Sequence, residues 1–315
     1  MDRILRPYFN ITKSRAIKIL LSLMATLLLS MPAFGQQQAD LTFDANVKNP
    51  AYTTTHPRVL VDEAHFNFHT ASGRYKPFAD LVSNDGCLVT PNKETFSAQS
   101  LNGADVLVIA NAGGGPIGGP DRAKPAFTDA ECAAVREWVR AGGALLLISD
   151  DAPAGAAAAN LSATFGVDMG KGFTADPLNY ERIALDSSWI RFSRANKSLG
   201  DHPITRGRDA SERINSVLSF TGQSLKGPKE STALLKLSAQ AYDVDDLNDP
   251  EKAKITSAAG RAQAVALPFG QGRVVVFGEA AMLTAQNKNF GMNYPNTDDR
   301  QLVLNVMHWL TGLLK

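Results

Sequence analysis

Two apolar runs decide the class of fold: Val106-Leu107-Val108-Ile109-Ala110 and Ala144-Leu145-Leu146-Leu147-Ile148. Each is continuous rather than alternating, as expected for a strand covered on both faces. Between them lies a helix with its own signals. Thr128-Asp129-Ala130-Glu131 is a capping box, in which the Thr hydroxyl and the Glu carboxylate each satisfy an orphan backbone N–H. Cys132, Val135, Trp138 and Val139 follow on one face, and Gly142-Gly143 ends the helix. A strand, a crossover helix and a second fully buried strand make a parallel pair, joined with right-handed connectivity.

The same rhythm extends outward. Strands are expected over residues 59–61, 87–89, 105–110, 144–148, 262–267 and 273–277, and helices over 75–82, 97–101, 154–165 and 299–314. Pro268-Phe269-Gly270-Gln271-Gly272 reads as a hairpin turn. The final helix carries Leu302, Val306, Trp309 and Leu313 on one stripe. The expected class is α/β: a three-layer, doubly wound, mostly parallel sheet with helices on both faces. Residues 167–260 break the pattern and read as a partly β insertion on the sheet, with strands near 217–220 and 233–237 and an exposed acidic loop at 243–254.

The N-terminus points to export. Arg3, Arg6, Lys13, Arg15 and Lys18 precede an apolar run over 19–29, and Ala33-Phe34-Gly35 supplies small residues for cleavage. A run of about eleven residues is too short for a bilayer, which takes about twenty. Residues 1–35 are therefore expected to be a signal peptide, 36–57 a linker or extended lead-in, and 58–315 the domain. No stable membrane span is expected after cleavage, and the location is periplasmic or secreted. Cleavage removes five basic residues and one acidic residue, leaving a formal net charge of −3 in place of +1. Such a chain lacks the basic footprint of a nucleic-acid binder. Cys87 and Cys132 have no metal-knuckle spacing and are expected to be buried free thiols.

The stretch Asp62-Glu63-Ala64-His65 resembles a helicase motif, but an ATPase also needs a phosphate-binding loop. Gly170-Lys171 is followed by Gly172, and the residue five before Gly170 is Phe165. Gly227-Pro228-Lys229 fails as well. ATP hydrolysis is not expected on this ground.

Open parallel sheets bind ligands at the carboxyl ends of their strands. The candidate ligand-edge residues are Asp62, Glu63, His65, Asn67 and His69 after the first strand. Asn111, Gly113 and Gly114 follow the third strand, Asp150 and Asp151 the fourth, and Glu279 the late strand. His65 and His69, four apart, are candidate metal ligands if that stretch is helical. Asp62 has a structural reading of equal weight, as a cap or backbone acceptor. The glycines can offer N–H groups to an anion or serve a flexible loop. His202-Pro203-Ile204 reads as a structural turn, and His308 as packing beside Trp309.

The segments "VLVDEAHFNFHT", "ADVLVIANA", "TDAECAAVREWVRAGGALLLISD", "DHPIT" and "GRVVVFGEAAML", in this order over 58–314, resemble the class I glutamine amidotransferase-like superfamily. The resemblance is to an uncharacterised exported bacterial branch. That branch is similar to extracytoplasmic domains of gliding-motility ABC-transporter auxiliary proteins and, more distantly, to ThuA-like proteins. It implies a flavodoxin-like sheet. It also implies a nucleophilic Cys just after the strand at 144–148, and here that turn reads Ser149-Asp150-Asp151-Ala152-Pro153. Glutamine hydrolysis is therefore not expected. The expected function is a non-catalytic exported binding or accessory domain that takes a small polar ligand or another envelope protein. The alternative is a metal- or carboxylate-dependent hydrolase using the same edge. No cofactor is expected for the first; a divalent metal belongs to the second.

Overall fold

The computed structural model describes residues 38–184, 186–246, 252–287 and 289–315. The expected signal peptide lies outside them. The first half is built from β1 (Arg58–Asp62), α1 (Lys76–Asn84), β2 (Leu88–Asn92), β3 (Val106–Ala110), α2 (Asp129–Arg140), β4 (Ala144–Ile148) and α3 (Ala154–Thr164). Then come β5 (Asp168–Met169), β6 (Phe173–Ala175), β7 (Tyr180–Glu181), β8 (Asp186–Ser193), α4 (Pro203–Arg206), β9 (Ser216–Phe220), β10 (Leu225–Lys226), β11 (Thr232–Lys236), β12 (Tyr242–Val244) and β13 (Ile255–Ser257). The chain closes with β14 (Ala262–Phe269), β15 (Gly272–Phe277), β16 (Ala285–Gln286), β17 (Phe290–Gly291) and α5 (Asp299–Leu310).

The main sheet runs β2-β1-β3-β4-β15-β14-β10-β5, and β11 also pairs with β14. The first five strands are mutually parallel. Their order is that of a flavodoxin-like sheet, which reverses direction between β1 and β3. β14 turns back antiparallel to β15 through the two-residue loop Gly270-Gln271, where Gly270 has φ +60°.

Alternate residues of the buried strands serve two cores. Val106, Val108, Leu146 and Ile148 face one side with Phe78 and Leu81 of α1 and Leu302 and Val306 of α5. Leu107, Ile109, Leu145 and Leu147 face the other side with Val135 and Val139 of α2 and Leu161 of α3. Each such side chain contributes about 1.5–3 kcal/mol on burial, so the central strands hold the ligand edge on a rigid frame.

Several local expectations are corrected. The short helix at 97–101 is a series of turns held by Ser97 and Ser100 hydroxyls, which compete with helical hydrogen bonding. The last helix stops at Leu310; Leu313 lies beyond it and is exposed, and Leu314 is buried instead. The segment 243–254 is not wholly a loop. Asp243 lies in β12, and its carboxylate accepts from the Thr174 and Ser224 hydroxyls. Residues 247–251 lie outside the described set.

The lead-in lies against the domain: Tyr52 is buried, and the Ala51 N–H donates to Asp85. Asp85 also meets Nε2 of His308 at 2.6 Å, so His308 forms a buried polar pair and is not simply packing. His202 caps α4 through its ring, with Ile204 fully buried. Both cysteines are buried and free, and burial pushes the Cys87 thiol up to about 12.

Candidate functional site

At the carboxyl end of β1, Asp62 and His65 are turned into a buried network. The His65 imidazole bridges two acids, with Nδ1 2.9 Å from Asp62 Oδ2 and Nε2 2.8 Å from Glu131 Oε1. Its ring lies against Phe96 and Phe127. Burial works against protonation of His65, but the two carboxylates outweigh it and raise its pKa. Asp62 is fully buried and also accepts from Asn67 Nδ2 and the Ala64 N–H. Asn67 in turn accepts the His65 N–H.

Glu131 completes its capping box with Thr128 and accepts the Phe96 N–H. Burial alone would raise the Glu131 pKa; the donors from Thr128, His65 and Phe96 lower it on balance. Asp62, His65 and Glu131 thus form a closed strut between β1 and the first turn of α2. Glu63 stands apart from it and accepts the Ala71 N–H.

His65 and His69 are not brought together as metal ligands. Both ring nitrogens of His65 are already engaged. His69 lies between Phe68 and Tyr75, buried, and among the described residues its Nδ1 has no hydrogen-bond partner. Burial, with the charges of Arg74 and Arg122, brings its pKa down to about 3. Among the described residues no group of three His, Cys, Asp or Glu side chains is placed to hold a metal ion.

The glycine loop is also closed. The Gly113 N–H donates to His65 O, and the Gly114 N–H to Arg122 O. A Cβ on Gly113 would lie 2.1 Å from Arg122 Nη1. The buried Arg122 guanidinium donates to the carbonyls of Phe66, Asn111 and Gly115. Gly113 admits the arginine clamp, and Gly114 admits the Lys124 carbonyl, which would lie 2.4 Å from an added Cβ; both N–H groups are spent on carbonyls and do not cradle an anion.

A cavity of about 360 Å³ opens at the ends of β3 and β4. Phe68, Asn111, Arg122, Asp150 and Asp151 line it, with the loop Ile117-Gly118-Gly119 and the turn Ala152-Pro153-Ala154 leading into α3. Asn111 holds the left-handed backbone (φ +48°) that Asn tolerates, and its Oδ1 accepts the Asp150 N–H at 2.8 Å. Burial raises Asp150 to about 7, against the lowering pull of the Asp151 N–H and the Asn111 amide. Asp151 is raised well above the usual carboxylate range by burial, then by the charges of Asp150 and Glu279. Glu279 is fully buried outside the lining and accepts the Ala281 and Met282 N–H groups. Burial and the charge of Asp150 raise it too.

Of the candidates, Asn111, Asp150 and Asp151 therefore line the cavity, Asp62, His65 and Asn67 form the strut, and Glu279 supports the cavity electrostatically. Sequence reasoning missed Phe68, Arg122 and the wider role of Glu131. Arg122 carried a signal: a glycine-rich loop offers carbonyls without side-chain donors, and Arg122 is an Arg just after that run. Ser149, which directly follows β4, is fully buried, and among the described residues its Oγ has no hydrogen-bond partner.

No protein-family model matches the chain, and no curated protein matches its sequence. Solved structures match in fold. The mmIFT52 N-terminal domain aligns with TM-score 0.57 at 14% identity, over 80% of this chain and 97% of that one. A protein described as ThuA-like from Bacteroides uniformis aligns with TM-score 0.45 at 15% identity, over 83% and 94%. A protein from Thermoplasma acidophilum, described as part of a GMP synthase, aligns with TM-score 0.40 at 10% identity, over 81% and 96%. The strand order places the fold in the flavodoxin-like class.

Proposed function

We propose that this chain is an exported, non-catalytic binding or accessory domain that holds a small polar ligand at the carboxyl edge of its sheet. One observation carries the reading: the cavity at the ends of β3 and β4 combines an apolar wall of Phe68, Ile117 and Ala154 with a few convergent polar groups. That is the composition of a small-molecule site. The buried Ser149 argues against acyl transfer from glutamine, because a nucleophile must reach its substrate. The basic, apolar and small-residue order of the N-terminus supports action outside the cytoplasm.

Asp150 favours a second reading, a carboxylate-dependent hydrolase. A carboxyl held at about 7 suits general acid–base work at neutral pH. The test is a thermal-shift screen of polar metabolites alongside turnover of chromogenic ester, amide and glycoside substrates. The binding reading expects hits whose shift disappears in Asp150→Ala, with no turnover above buffer. Turnover abolished by Asp150→Asn would replace it with the hydrolase reading.

A further inference from the structure

The turns over 97–101 run on into Asn102-Gly103, the one Asn-Gly pair in the chain. It lies just ahead of β3, at the opposite end of the sheet from the cavity, and both residues are exposed. Gly103 has φ +71°, a left-handed backbone with no side chain to shield its amide nitrogen. The Ala104 N–H donates to Leu101 O at 3.2 Å and closes the turn. Among the described residues the Gly103 N–H donates to no acceptor, and the Asn102 side-chain amide makes no hydrogen bond. Other asparagines beside small or polar residues are held. The N–H after Asn84 donates to Leu81 O, and the N–H after Asn215 to Asp298 Oδ2. The amides of Asn84 and Asn215 are themselves spent on the carbonyls of Ala45 and Arg213.

We propose that Asn102 is a site of self-modification, in which Gly103 supplies the nucleophile and Arg58 the charge that assists it. The Gly103 backbone nitrogen gives its proton to water or hydroxide and attacks Asn102 Cγ. A C–N bond forms, the Cγ–Nδ2 bond breaks, and Nδ2 leaves as ammonia with a proton from solvent. The product is a cyclic imide. Water opens it at one carbonyl or the other, giving an aspartyl or an isoaspartyl linkage. The net change consumes one water, releases one ammonia and replaces a neutral amide by a carboxylate.

Arg58 makes this turn more than a reactive pair of residues. Its guanidinium lies over Gly103: a Cβ there would be 2.7 Å from Nη1. Among the described residues that guanidinium makes no hydrogen bond and no ion pair, and Asp105 takes the Arg58 backbone N–H instead. A nearby cation favours the charged form of an acidic group. Arg58 therefore favours loss of the Gly103 amide proton, the step that creates the nucleophile. The new carboxylate then forms beside a cation that has no other partner, and a modification that adds charge is favoured where an opposite charge awaits it. The isoaspartyl form also lengthens the main chain by one carbon just ahead of β3, far from the ligand edge.

The test incubates the purified folded protein at pH 6 and pH 8 and follows intact mass, peptide maps and released ammonia. The expected mass change is the exchange of an amide NH2 for OH, faster at pH 8 and confined to the peptide holding Asn102. Asn102→Ser abolishes it while circular dichroism shows the fold intact. Arg58→Gln keeps the backbone hydrogen bonds of β1 and slows the change about threefold, as fits an exposed and partly screened charge. A folded protein that keeps its mass, under conditions that convert the same chain in 6 M guanidinium, overturns the proposal by showing that the turn protects Asn102. A mass change that persists in Asn102→Ser overturns it as well. An unchanged rate in Arg58→Gln overturns the part given to Arg58.

Discussion

Nε2 of His65 lies 2.8 Å from Oε1 of Glu131, 66 residues away in sequence. This contact ties the end of β1 to the capping box of α2, and Asp62 holds the other ring nitrogen. Removing the imidazole leaves two carboxylates facing apolar rings. His65→Ala is expected to cost about 3–5 kcal/mol, the loss typical of breaking a buried ion pair. Urea denaturation measures it; a loss under 1 kcal/mol would mean that the strut does not support the fold.

The pH dependence of stability has a definite sign. His65 has a raised folded pKa, so its stabilisation is complete below the unfolded value of about 6.5 and is lost as pH rises through the folded one. Asp150, Asp151 and Glu279 are raised as well, so ionising them on the way from pH 4 to above 7 costs the folded state further. The protein is expected to melt at a lower temperature at pH 9 than at pH 6. Asp151→Asn is expected to raise the melting temperature at pH 8 by about 2–4 °C, corresponding to about 1 kcal/mol. A variant that melts below the parent at pH 8 would contradict the repulsion among these acids.

Gly113→Ala places a methyl group 2.1 Å from Arg122 Nη1. The guanidinium must leave at least one of its three carbonyls, and a stranded buried carbonyl costs about 1–3 kcal/mol. Chemical denaturation is expected to show that loss, with any ligand affinity at the cavity falling as well, because Asn111 O is one of the carbonyls held.

Cys87 and Cys132 are buried free thiols with raised pKa values. In native protein neither is expected to react with an aromatic disulfide reagent within minutes, and both are expected to react in 6 M guanidinium. Fast labelling without denaturant would show that one of them is accessible.

The α/β fold was legible because its evidence is local: uninterrupted apolar strands, a capping box and the Gly270-Gln271 turn each state their geometry within a few residues. The site was half legible. Strand-end positions singled out Asn111, Asp150 and Asp151 as ligand-edge candidates, and these three line the cavity. The same positional logic could not tell that His65 is consumed by Asp62 and Glu131, because the Glu131 pairing depends on how α2 docks. Nor could it show that Gly113 makes room for Arg122 and Gly114 for the Lys124 backbone, since a glycine reports that space is needed and not what fills it. Ser97 and Ser100 had the composition of a short helix, but their hydroxyls bond the local backbone and hold turns instead.

The central claim is that the cavity at the ends of β3 and β4 is the ligand site. Crystallographic fragment screening of the domain tests it most directly. The account predicts bound polar fragments contacting Asp150 or Asp151 against the Phe68 wall. Fragments that cluster elsewhere on the surface, with this cavity empty throughout, would contradict it.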